Sequence, residues 1–139
     1  LVRLPFAHSR READIRARAE SALALVGMEA SAERWAADLV WTERQLVQIA
    51  RALIAAPRLL LLDEPAAGMG AREMEKVEEI IRRIRATGVT VVVVSHDVKM
   101  LMNLSDWVTV LNFGERIAEG TPETVQKDPR VLEAYLGVE

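Results

Sequence analysis

Through the first third of the chain apolar residues recur every three or four positions. They then condense into two unbroken runs, a change of period that separates amphipathic helices from buried strands. Ser9 and Glu12 stand at capping-box spacing and open a helix with Ile15, Ala19, Ala22 and Val26 on one face, ended by Gly27. A short helical segment is expected around "SAERWAADL". Thr42 and Gln45 repeat the cap spacing, and Leu46, Ile49, Leu53 and Ile54 give the next helix its apolar stripe before Pro57 stops it.

From Arg58 the pattern is that of strand and helix in alternation. The four leucines of "RLLLL" suit a strand buried on both faces of a parallel sheet. A small-residue turn leads to a helix over residues 72–86, with Met74, Val77, Ile81 and Ile84 at helical spacing and Gly88 closing it. "VTVVVV" (89–94) is a second strand, so the three elements predict a right-handed βαβ unit. A short helix over 99–104 follows. "WVTVLNFGERIAEG" then reads as two strands about a turn at Asn112–Gly114, and Thr121-Pro122 opens a terminal helical region. The expected organisation is a helical subdomain, residues 1–56, followed by an α/β part, residues 57–139.

Composition removes several function classes. The formal net charge is −3 with acids and bases interspersed, so there is no electrostatic footprint for nucleic acid or an anionic membrane surface. No cysteine is present, and His8 and His96 are the two histidines, which excludes thiolate metal sites and a histidine-rich one. No apolar run approaches the roughly 20 residues that span a bilayer. The N-terminal segment becomes basic within its first residues instead of leading into an apolar stretch, so a cytosolic location is expected. The first residue is Leu1, not Met, which implies a further segment upstream.

The chemistry gathers at strand ends. Asp63 and Glu64 close the leucine run, while Ser95, His96 and Asp97 close the valine run. Parallel strands share a direction, so both sets fall at one sheet edge, where open α/β sheets bind ligands. Two carboxylates and an imidazole there suit metal-assisted attack of water on a phosphoryl group, with Mg²⁺ satisfied by one or two carboxylates plus phosphate and water oxygens. Taken singly, an Asp-Glu pair after a strand is an ordinary helix cap with a solvated neighbour, and a lone histidine is ordinarily structural. Taken by themselves, Glu43, Glu78, Glu79, Arg82, Arg83 and Arg85 read as solvated helix faces. Trp35, Trp41 and Trp107 read as packing anchors, since no basic groove accompanies them.

"LLLLDEPAAGM", followed about thirty residues later by "VVVVSHD", resembles the Walker B strand, catalytic glutamate, D-loop and H-loop of ATP-binding-cassette (ABC) ATPases. "QIARALIAAPRLLLLDEP" is similar to the segment joining that family's signature motif to Walker B. "VLNFGERIAEGTPETVQKDPRVLEAYLG" is similar to the C-terminal end of the subgroup serving branched-chain amino acid uptake. The resemblance implies a P-loop NTPase fold. It makes Asp63 the residue that supports Mg²⁺ through its coordination shell and Glu64 the base that polarises the attacking water. His96 becomes the contact to the γ-phosphate, and Ala67, Gly68, Met69 and Gly70 become the D-loop that crosses to a second ATP-binding subunit. It further implies head-to-tail pairing of two such subunits, transmembrane permease partners, and a place in the cytoplasm at the inner face of the membrane, reached only through the permease.

Two features depart from the family pattern. These 139 residues contain no G-x-x-x-x-G-K-[ST], the loop whose backbone N–H groups and lysine cradle phosphates. The resemblance therefore implies the second half of a nucleotide-binding domain, with Walker A and Q-loop upstream of residue 1. It implies a sheet with an uncovered edge or apolar face, and no ATP or Mg²⁺ bound by this chain alone. In the place of the signature stands "LVWTE": Val40 removes a hydroxyl, Trp41 and Thr42 replace glycines, and Glu43 is expected to turn a negative charge toward a triphosphate. Gly70 replaces the usual Asp or Asn of the D-loop. The function expected is that of a partial energy-coupling subunit of an ABC importer for a small solute, most like the branched-chain amino acid type. The alternative is a truncated, non-enzymatic module that docks a permease or a partner ATPase.

Overall fold

The computed structural model describes residues 5–136. By its internal contacts the chain divides into two compact units, residues 1–94 and 95–139, whereas the change of sequence period falls between residues 56 and 57.

In the first unit, helix α1 (Pro5–Leu25) begins four residues before the expected cap at Ser9. Ala22 of its last turn and the following Val26 are buried, while Ile15 is 55% exposed. Gly27 ends the helix in the left-handed conformation, φ 70°, that glycine adopts without strain. The expected helix around "SAERWAADL" does not form. Two 3₁₀ turns, Glu29–Ser31 and Ala36–Asp38, take its place, with Trp35 extended between them. Two arginines hold this loop by its carbonyls. Arg34 donates to the Asp38 carbonyl at 2.8 Å, and Arg44 donates to those of Leu39 at 2.8 Å and Ala37 at 3.1 Å.

Helix α2 (Trp41–Leu53) packs on α1 and buries Ile49 and Ala50. Strand β1 (Leu59–Asp63), helix α3 (Ala71–Ala86) and strand β2 (Thr90–Val94) form the βαβ segment expected from sequence. The strands pair in parallel, Leu59 opposite Thr90 through Asp63 opposite Val94. Helix α3 packs on β2 and seats Val77, Ile80, Ile81 and Ile84 in the core.

The sheet is not covered on both sides. Leu60 and Leu62 are buried, but Leu61 is 68% and Val94 58% exposed, with Leu59 and Val92 on the same bare face. A leucine run carries no alternation, so nothing in the letters distinguishes a doubly covered strand from one covered once. The uncovered apolar face implied by the lack of a P-loop segment is present.

The second unit holds α4 (Val98–Leu104), whose N-terminus is capped by Asp97 accepting from the Met100 amide at 2.8 Å. Strands β3 (Val108–Asn112) and β4 (Glu115–Gly120) form an antiparallel hairpin, with Asn112 paired to Glu115 and a bulge opposite Val110–Leu111. Its two-residue turn, Phe113-Gly114, takes φ 47° and 82°, the left-handed pair that matches strand twist in a tight hairpin. Helices α5 (Pro122–Val125) and α6 (Pro129–Val131) each begin with proline at the first turn and close a small core of Val108, Ala118, Val125 and Val131.

Candidate functional site

Asp63 is the last residue of β1, exposed at the carboxyl end of the strand. Its neighbour Glu64 is half-buried and has φ 48°, a conformation that a residue with a side chain adopts only when its surroundings impose it. The constraints are visible. The Glu64 amide donates to the Val94 carbonyl at 2.8 Å, extending the sheet by one bond, and the Glu64 carbonyl accepts from the Ala67 amide at 3.1 Å. Pro65 and Ala66 are buried behind it. Strand end and turn together leave the two adjacent carboxylates with different exposure.

The turn runs on through Ala67, Gly68, Met69 and Gly70. Gly68 has φ 72°, Met69 is buried, and Gly70 is the N-cap of α3, its amide donating to Glu73 at 3.0 Å. Val94 passes directly into Ser95 and His96, which belong to the second unit. Ser95 is half-buried and accepts from the Asp97 amide at 3.2 Å, while His96 is exposed. Among the described residues no three His, Cys, Asp or Glu side chains gather into a group that could hold a metal. Asp63 and Glu64 are the carboxylates at the end of β1, a supply that suits an ion such as Mg²⁺, which takes one or two carboxylates with phosphate and water oxygens.

The segment in the place of the signature differs from the expectation in two ways. Helix α2 starts at Trp41 with Val40 as N-cap, so Thr42 and Gln45 do not form its capping box. Glu43 supplies the cap instead: one carboxylate oxygen accepts from the Val40 amide at 3.0 Å and the other from Arg34 at 2.7 Å. The charge expected to confront a triphosphate is thus folded back onto the helix start and paired. Glutamate three residues past the N-cap is a visible signal for this contact, but Arg34, nine residues upstream, follows from no local pattern.

The Arg34 guanidinium, and next the Val40 amide, hold the Glu43 carboxyl below the usual glutamate range. A carboxyl whose pKa is lower in the folded state contributes its stabilisation in full above the unfolded value and loses it as pH falls through the folded one. Glu43→Gln is therefore expected to be less stable than the parent near neutrality, with the gap closing as pH falls from about 6 to about 3. Urea unfolding midpoints across that range measure it, and a gap that does not change with pH would refute the pairing.

The tryptophans are not core anchors: Trp35 is 81% and Trp107 60% exposed, the latter donating to Glu119. Trp41 lies with its ring edge over Gly68. On the charged face of α3 Arg82 pairs with Glu78 and Arg83 with Glu79; Glu79, Arg82 and Arg83 are exposed, whereas Glu78 is half-buried. Among the described residues no helix is long and apolar enough to cross a membrane.

Comparison with known proteins bears on this arrangement. Residues 3–67 match the ABC transporter family, and residues 115–139 match the branched-chain amino acid ATP-binding cassette transporter family. The high-affinity branched-chain amino acid transport ATP-binding protein BraF of Pseudomonas aeruginosa is 39% identical over 113 residues, 81% of this chain and 44% of BraF. LivG of Salmonella typhimurium, with the same description, is 36% identical over 138 residues, 99% of this chain and 54% of LivG. The ADP conformation of MJ1267, an ATP-binding cassette of an ABC transporter, superposes with a TM-score of 0.78 at 28% identity, covering 88% of this chain and 50% of that one. The chain spans about half the length of the curated relatives it matches.

Proposed function

Because the chain belongs to the ATP-binding family of ABC transporters, we propose that it forms part of a subunit that binds Mg-ATP and couples its hydrolysis to import of a small solute. Branched-chain amino acids are the class favoured by the match over residues 115–139. The observation that carries the reading is the carboxyl end of the parallel pair. Asp63 ends one strand, Glu64 is held in a strained turn bonded to Val94, and Val94 leads at once to Ser95-His96.

When bound, Mg-ATP supplies the phosphoryl group and neutralises its charge. Asp63 accepts hydrogen bonds from the water shell of the ion. The Glu64 carboxylate orients the attacking water and takes its proton. His96 donates to an oxygen of the γ-phosphate. Ala67 to Gly70 reach toward a second ATP-binding subunit, and Val40 to Glu43 stand where the signature would meet that subunit's nucleotide. With the Val40 side chain bearing no hydroxyl and Trp41 and Thr42 in the place of glycines, the site completed by this segment is a weak one. Residues 1–56 act as the helical subdomain that meets a permease, residues 57–139 as part of the catalytic core, in the cytoplasm at the membrane's inner face.

These residues include no phosphate-cradling P-loop, so the chain alone is expected to give no saturable heat when titrated with Mg-ATP to millimolar concentration. A chimera in which it replaces the matching residues of BraF is expected to bind saturably. Binding by the chain alone, or a folded chimera that binds nothing, would contradict the proposal.

A further inference from the structure

The strained backbone at Glu64 is secured on one side by β2, through the 2.8 Å bond from its amide to the Val94 carbonyl. The other side of the turn has no strand to lean on. What meets it there is Trp41. A Cβ built on Gly68 would stand 3.8 and 3.9 Å from two atoms of the indole ring, so the ring lies in van der Waals reach of the turn's backbone. Met69, next in sequence, is buried and lines a cleft with Thr42 and Leu46 of α2 and with Val77 and Ile80 of α3. The first turn of α2 and the turn after β1 therefore meet where the Trp41 ring covers Gly68, and they share the walls of this cleft.

From this contact we infer that Trp41 is a positioning residue: its ring braces the turn at Gly68 and thereby steadies the segment that begins at Glu64. Three features support the role. Trp41 is 48% exposed, so its ring is not spent on filling the core. Gly68 has φ 72°, a conformation in which a side chain would add strain, so the ring faces bare backbone there. A residue held at φ 48°, such as Glu64, persists only where its surroundings over-determine it, and the ring adds a contact to the turn from the α2 side. The consequence is that the start of α2 and the Glu64 turn move as one piece. The bracing itself is independent of nucleotide; its relevance to ATP chemistry rests on the function proposed above.

Amide hydrogen exchange on the 139-residue chain tests it without any ligand. The Ala67 amide bonds to the Glu64 carbonyl and the Met69 amide to the Ala66 carbonyl, each at 3.1 Å, so both report the turn. In Trp41→Ala these two amides are expected to exchange about tenfold or more faster, while those of Leu62 and Ile81 keep the parent rate. Trp41→Phe is expected to return Ala67 and Met69 to within about threefold of the parent, since a ring and not the indole N–H makes the contact. Unchanged exchange in Trp41→Ala, an equal rise across β1 and α3, or no restoration by Phe would each overturn the inference. Failure of the chimera to bind Mg-ATP would leave this result untouched, so the two claims fail separately.

Discussion

Glu64→Gln in the BraF chimera is expected to lower single-turnover ATP hydrolysis by about 10²- to 10⁴-fold, the range for removing a general base, with Mg-ATP affinity little changed. The substitution is nearly isosteric. Gln at φ 48° carries the same backbone strain as Glu and keeps the amide bond to Val94, so the turn is preserved and the loss isolates the carboxylate. Rapid-quench measurement of phosphate release, beside calorimetry of binding, gives both quantities on one sample. If hydrolysis survives within a few-fold, Glu64 is not the group that activates water, and the strain at its backbone has another purpose.

The second large effect concerns α3. Ile84 is fully buried, on the face of α3 that also seats Val77, Ile80 and Ile81. Truncation to alanine there removes buried methyl groups and leaves a cavity that close-packed neighbours fill only in part, at a cost of about 2–5 kcal/mol. Against the 5–15 kcal/mol typical of a folded domain that is a large fraction. The urea midpoint of Ile84→Ala is expected to fall accordingly with an unchanged slope. A loss below about 1 kcal/mol would mean that α3 is not the element on which this core depends.

The order and type of the elements were legible because each rests on a local signal: helical spacing, proline stops, glycine closures and β-branched runs. The βαβ segment, the hairpin about Phe113-Gly114 and the proline-led terminal helices all follow from such signals. What could not be read depends on contacts that no helical or strand period encodes. The segment between α1 and α2 has alanine-rich, helix-favouring letters. Its 3₁₀ turns accompany hydrogen bonds from the Arg34 and Arg44 side chains to its carbonyls, contacts that local propensity does not contain. The bare face of β1 is not written in its own letters, since leucine at four successive positions looks the same whether one side is covered or two; it followed from the lack of a P-loop in these residues. At the candidate site, the adjacent carboxylates at a strand end were plain in the letters, as was the glycine-bearing turn after them. The folding back of Glu43 was half legible, through its spacing from Val40, and half not, through Arg34.

The grip of those two arginines has an evolutionary consequence. A loop shaped by its own side chains changes shape when its letters change. Between Ala36 and Leu39 the oxygens being held belong to the main chain, which every residue supplies alike. Substitutions at Ala36, Ala37 and Asp38, all exposed, leave the anchoring untouched, while the information that fixes the loop is stored at positions 34 and 44, outside it. Sequence drift can thus accumulate within this stretch, just ahead of α2, without displacing the helix start that follows.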